Sequence, residues 1–449
     1  QALSVNTTGD ENTAVGRNAL YANTTANNNT AVGSDALYAN TTGANNTAVG
    51  FQALDAQTTA WSNTAIGAYA LSANTTGQNN NAMGVSALAA NTTGGSNVAI
   101  GDEALDANTT GSSNTAIGKA SLSSNTTAGN NTAVGFRALE DNVTGSDNTG
   151  IGRVSMTQNT TGVSNCALGQ GSLESNTTGS RNVAIGVGAL DTQTTADDNV
   201  AVGYFALTAN TTGTGNVGVG NSALDGNTTA SNVTAVGYRA LYSNTTGNSN
   251  TAFGKSALDA NTTGEQNVAV GHNALVLSTT ANNNTAVGYS ALFYNTTGTR
   301  NVAIGMNALN QNTTANDNVA VGNNALDANT TGAQNVALGY NTLGANTTTS
   351  SNTAIGHKAL EVATADNNTA VGREALQDNT TGANNTALGY HALNRNTTGN
   401  YNVGVGYEAL KDITTSSYCT GVGYRACKSN TSGEGNTGVG YHALEEVST

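Results

Sequence analysis

Apolar, small and polar residues alternate along this chain on one fixed beat. Thr47-Ala48-Val49-Gly50 returns as Thr64-Ala65-Ile66-Gly67, and Val98-Ala99-Ile100-Gly101 repeats it further on. The glycines mark the period. Gly16, Gly33, Gly50, Gly67, Gly84 and onward to Gly356 lie 17 residues apart, one step of 16 leads to Gly372, and steps of 17 resume to Gly440, leaving 26 glycines in register. Counting from each glycine as position 1, the unit reads G-x-x-A-L-x-x-N-T-T-G-x-x-N-T-A-V. A short unit repeated at fixed spacing must stack on copies of itself to bury its apolar face, which is the signature of a solenoid.

Seventeen residues cannot hold a helix pair, so the helical repeats are excluded. Two short strands joined by turns fit, one at positions 14–17 and the other at positions 3–6. Alternation along the first places positions 15 and 17 on one face and 14 and 16 on the other. Position 15 is mostly Thr or Val (Thr47, Val98, Val183), with Cys166 and Asn81 as rarer occupants. Position 17 is always apolar (Val49, Ile66, Leu168, Met83, Phe253). Both read as interior, joined by the position 5 leucines Leu37, Leu54 and Leu71. The fold class expected is all-β: a parallel β-solenoid of about 26 coils, continuous as a single body over residues 1–449, with one 16-residue coil at 356–372.

The opposite face is uniformly small. Position 16 is Ala or Gly in every unit (Ala14, Ala31, Ala48, Ala65, Ala99, Gly150), and position 4 is Ala, Ser or Thr. Enforced smallness means that another backbone lies close by, across the coil or in a neighbouring chain. Few aliphatic side chains per coil make a thin core for a free-standing rod, so lateral association is expected. The surface assigned to a homo-oligomer is the small face carrying Ala14, Ala31, Ala48, Ala65 and Ala99. Asparagine forms two further rows, at position 14 in all units but those of Val233 and Cys419, and at position 8 in most. Stacked amides can donate and accept from coil to coil.

Composition narrows the partners. The net charge of −14 is spread without long runs, which argues against nucleic acid and its need for clustered Lys and Arg. Proline is absent, as expected where nearly every backbone N–H serves a ladder. No run of about 18 apolar residues is present, so no membrane insertion is expected. The lack of an initiating Met or leader points to a processed or partial product. The three cysteines set no framework, although a Cys419–Cys427 bridge is conceivable from spacing.

Few residues of the chain are suited to chemistry. His272, His357, His391 and His442 fall at variable positions 2 and 3, away from Cys at zinc spacing. No phosphate-binding loop or calcium-roll motif occurs. No catalytic, cofactor-binding or metal residue is assigned, and no cofactor is expected. Two features remain. Asn-Thr-Thr satisfies the N-glycosylation sequon, making Asn23, Asn40, Asn74, Asn91 and Asn108 candidate glycan acceptors. A row of Tyr289, Tyr340, Tyr390, Tyr407, Tyr424 and Tyr441 at position 2 is a candidate surface for carbohydrate or a partner fibre.

The segments Asn46–Gly50 (Asn-Thr-Ala-Val-Gly) and Asn97–Gly101 (Asn-Val-Ala-Ile-Gly) resemble the Ser-Val-Ala-Ile-Gly motif of trimeric autotransporter adhesin heads. The longer unit, with Ala-Leu-x-x-Asn-Thr-Thr-Gly before the strand, is similar to repeats of tail-fibre-like bacterial and phage proteins. The resemblance implies a left-handed β-roll, a homotrimer, and an extracellular place on a cell surface or virion fibre. The function expected is a non-enzymatic fibre acting as adhesin or rigid spacer, with a carbohydrate or cell-surface receptor as partner. Alternatives are a phage tail-fibre shaft and an ice-binding solenoid. For ice, the adjacent threonines at positions 9 and 10 point to opposite faces in a strand. Uncapped coils at both ends lead to the expectation of head-to-tail stacking into filaments.

Overall fold

The computed structural model describes residues 1–431 and 433–446. It divides into two compact units, Gln1–Thr229 and Ala230–Thr449. Among the described residues there is no helix, and each unit holds thirteen three-residue strands. In the first, β1 (Thr13–Val15) to β13 (Val217–Val219) pair in parallel, each with the next. In the second, β14 (Thr234–Val236) to β26 (Thr437–Val439) do the same. The register is one repeat throughout: Thr13 faces Thr30, and Ala14 faces Ala31. The short coil keeps it, because β21 (Thr353–Ile355) pairs with β22 (Thr369–Val371) through Thr353 and Thr369. The missing residue comes out of the turn, where Thr364-Ala365 stands in place of Thr-Thr-Gly.

Only one strand per coil forms. The segment expected as a second strand is a continuous turn in which alternate residues are left-handed: Asp35 has φ 59° and Leu37 φ 51°. A third left-handed corner falls at position 13, as at Asn45 with φ 62°, where Asn, Ser and Asp predominate and tolerate it best. Placing an L residue there costs roughly 1–2 kcal/mol, about what burying one leucine contributes. The turn still bonds its neighbours. Leu37 N–H donates to Ala53 in the next coil at 2.9 Å, and Asp35 N–H to Arg17 in the previous one at 2.8 Å. The register glycine is required twice over. At Gly50 φ is 143°, and a Cβ would stand 2.4 Å from the carbonyl oxygen of Gly67.

The strand faces the opposite way from the sequence reading. Ala31, Ala48, Ala65 and Ala99 are fully buried, while positions 15 and 17 on either side face outward, half-buried or exposed. The reason is the narrowness of the coil. A Cβ on Gly150, which occupies position 16, would come 3.2 Å from Leu139 Cγ and 3.1 Å from Ser155 Oγ. The position 5 leucine fills the centre of the coil, so the strand can turn only a methyl group or a hydrogen towards it. Val and Ile must point out. The core is therefore Leu and Ala, exemplified by Leu54, Ala53 and Ala65, flanked by buried amides such as Asn40 and Asn46.

Candidate functional surfaces

Inverting the strand creates a surface where a core was expected. Positions 15 and 17 form two parallel columns running across each unit's sheet, one of Thr and Val, the other of Val, Ile, Leu, Met and Phe. In the first unit Met83, Ile100, Ile117 and Leu168 are exposed, and in the second Phe253, Ile304, Leu338 and Leu388. Exposed apolar columns of this kind are candidate interaction surfaces. The oligomer surface assigned to alanines is thereby corrected: Ala31, Ala48, Ala65 and Ala99 are sealed inside the coil, and Ala14 is half-buried in the first coil. The clue lay in position 15, more than half of whose occupants are threonine, whereas position 16 admits no polar side chain at all.

The candidate glycan acceptors are also interior. Asn23, Asn40, Asn74, Asn91 and Asn108 are fully buried. The Asn91 amide donates to Asn74 Oδ1 and to the Gly94 carbonyl, both at 2.9 Å, and its own Oδ1 accepts from Asn108 at 2.9 Å. Asn40 donates to the Gly43 carbonyl at 2.9 Å and Asn74 to Gly77 at 3.0 Å. An amide nitrogen engaged this way has no room for a sugar, so folded coils cannot carry N-linked glycan at these sites. The position 14 row is a second ladder: Asn46 N–H donates to Asn29 Oδ1 at 3.0 Å, and its side chain to the Ala60 carbonyl at 3.0 Å.

Breaks in the position 8 ladder are visible as orphaned oxygens. The Oδ1 atoms of Asn40, Asn176, Asn261 and Asn396 lack a partner. Each lies one coil before a residue other than Asn: Gln57, Gln193, Ser278 and Ile413. Only asparagine has the reach to bond backwards and locally at once.

The tyrosine row is exposed at Tyr289, Tyr340, Tyr407, Tyr424 and Tyr441 and half-buried at Tyr390. Its rings stack on one another. Tyr390, Tyr407, Tyr424 and Tyr441 follow at centroid spacings of 5.2, 5.1 and 5.3 Å. Tyr289 stacks on His272 and Tyr340 on His357, each at 5.4 Å. Faces inside the stack are covered, leaving their edges and hydroxyls to solvent, whereas Tyr441 at its end is largely exposed; the spacing follows from one ring per coil.

Ion pairing concentrates on Glu408, a buried carboxylate that accepts from Lys411 and Arg425 at 2.9 Å and meets Lys428 at 3.2 Å. Burial raises its pKa, but the three cations outweigh burial and hold it at about 2. All three cysteines are free thiols, so Cys419 and Cys427 are not bridged. Cys419 instead substitutes for the ladder asparagine, its thiol donating to the Gly433 carbonyl at 3.2 Å. Burial pushes the Cys427 thiol up. His391 pairs with Glu374 at 2.6 Å, and His442 with Glu445. Among the described residues no three His, Cys, Asp or Glu side chains cluster as metal ligands, and no helix is long and apolar enough to cross a membrane.

No protein-family model matches the chain, and no curated protein matches it.

Proposed function

We propose that this chain is a non-enzymatic structural fibre, an extracellular adhesin or rigid spacer, assembled as a homotrimer through the outward strand columns. The observation that carries this reading is the pair of columns at positions 15 and 17, whose apolar half faces solvent in an isolated chain. Burying such a face recovers about 25 cal/mol per Å², and identical chains supply a matching face by symmetry. The backbone ladders that stiffen each unit suit a spacer. The motif resemblance adds left-handedness, the trimer and the extracellular setting, with a phage fibre shaft as the nearest variant.

Native mass spectrometry tests the assembly. A mass of three chains is expected, falling to the 44.7 kDa single chain in Ile100→Lys/Ile117→Lys with the circular dichroism spectrum retained. A single-chain mass for the unaltered protein overturns the reading.

A second reading is favoured by the regularity of the same columns. Threonine and β-branched residues at strand spacing, about 4.8 Å apart across the sheet, form the flat repeating array that an ice-binding surface needs. The threonines at positions 9 and 10 do not form a two-column array: Thr41 Oγ1 donates to the Thr58 carbonyl at 3.1 Å, which leaves the position 10 threonines, among them Thr25, Thr42 and Thr59, as a single exposed column. Thermal hysteresis of the purified protein decides, and its absence removes this reading.

A further inference from the structure

Position 3 carries a side chain in every coil but two. The exceptions, Gly171 and Gly188, stand in adjacent coils. Neither is demanded by the backbone. Their φ angles of 62° and 65° lie in the same left-handed region that Val154 and Phe205 adopt at 53° and 50° on either side. At Gly171 an added Cβ would meet only Glu174 Oε2, at 3.2 Å. At Gly188 one edge of the Phe205 ring has moved into the vacant place, with Cε1 2.4 Å from where a Cβ would sit. The two missing side chains open a groove of about 420 Å³, within the size range of small-molecule sites.

The lining is mixed in chemistry. Phe205 supplies an apolar wall, and Glu174 and Asp191 bring carboxylates from position 6 of the two glycine-bearing coils. Arg153 stands at the groove and enters no ion pair among the described residues, whereas Arg137 beside it is held by Glu140. Burial pushes the Asp191 carboxyl above its ordinary range, as happens to a carboxylate deprived of water without a cation in return. Such an acceptor calls for a neutral donor. Two carboxylates against one uncommitted guanidinium disfavour an anionic ligand, and the polar lining disfavours a lipid chain.

We propose that this notch binds a neutral saccharide unit, its C–H face against Phe205, its hydroxyls donating to Glu174 and Asp191, and Arg153 donating to a sugar oxygen. The site lies wholly within the first unit and is independent of assembly through the strand columns.

Saturation-transfer NMR with methyl mannoside, lactose and N-acetylglucosamine, and with sialyllactose as the anionic contrast, tests it. Transfer to at least one neutral sugar is expected, weakened at least about tenfold in Gly171→Asn and in Phe205→Ser, as loss of an aromatic contact or of its space requires. Both replacements reinstate residue types that position 3 already uses, as at Asn273 and Ser222, so the coils should melt unchanged. Ile100→Lys/Ile117→Lys should bind the sugar as before, which separates this site from the assembly reading. No transfer to any neutral sugar, transfer to sialyllactose alone, or equal transfer in both notch variants overturns the proposal.

Discussion

Replacing Asn91 by alanine removes one rung of the buried amide ladder, and the structure lets the cost be worked through atom by atom. Three hydrogen bonds vanish: to Asn74 Oδ1, to the Gly94 carbonyl, and from Asn108, each 2.9 Å long. Two of the partners keep a second bond. Gly94 still accepts from Asn80 at 2.9 Å, and Asn108 still donates to Gly111 at 3.0 Å. Asn74 Oδ1 is left without a donor in a site closed to water. Three bonds at about 1 kcal/mol each and one orphaned acceptor at about 1–3 kcal/mol predict a loss of about 4–6 kcal/mol. Asn91→Gln should cost only about 2–4 kcal/mol. Gln57 and Gln193 show why: they reach the carbonyls of Ala60 and Ala196 at 3.1 and 2.9 Å, yet leave the preceding Oδ1 orphaned. Urea denaturation followed by circular dichroism measures the total. Native-state hydrogen exchange at Val98–Ile100 reads the local effect, because a repeat protein feels a lesion mainly through neighbouring coils. Alanine within about 0.5 kcal/mol of the unaltered protein, or glutamine as damaging as alanine, would refute the claim that the ladder stabilises the coil.

Three further outcomes follow from the same geometry. Ala99→Leu should destabilise the first unit by about 1–3 kcal/mol through overpacking, whereas Val98→Thr on the outer face should be near neutral in the same urea titration. Gly67→Ala combines a φ of 135° with a Cβ placed 2.3 Å from the Gly84 oxygen. It should cost at least about 1–3 kcal/mol, seen as loss of amide protection in the coils either side. Glu408 is held at about 2 against an ordinary 4.5, so its contribution is complete above the ordinary value and drains away as pH falls between the two. Acid titration of melting temperature should show this slope in the unaltered protein and a shallower one in Glu408→Gln.

Much of the architecture was legible because it depends on period alone. Glycines spaced by 17, with Val and Leu in phase, leave stacking as the only way to bury an apolar face, and the strands pair in that register. The asparagine rows were legible as ladders too, since an amide is both donor and acceptor. What period cannot say is which face of a strand looks inward. Alternation separates Ala48 from Thr47 and Val49 without assigning either side, and hydrophobicity favoured the wrong one. That choice rests on the diameter of the coil. Leu37 and its counterparts, held left-handed by the turn at positions 3–6, occupy the centre and leave room for nothing larger than alanine opposite. The turn itself was hidden for the same reason, because leucine in a left-handed conformation runs against local preference and is stabilised by burial and by bonds to the next coil.

Sequence alone thus determined the repeat, the parallel register, the amide ladders and the glycine that marks each repeat, since these depend on residue type and spacing. The tertiary structure decided the orientation of the strand, and with it the outward apolar columns, the burial of every candidate glycan acceptor, and the notch at Gly171 and Gly188. Each of those turns on how much space the stacked coils leave, a quantity that arises only when the chain closes on itself.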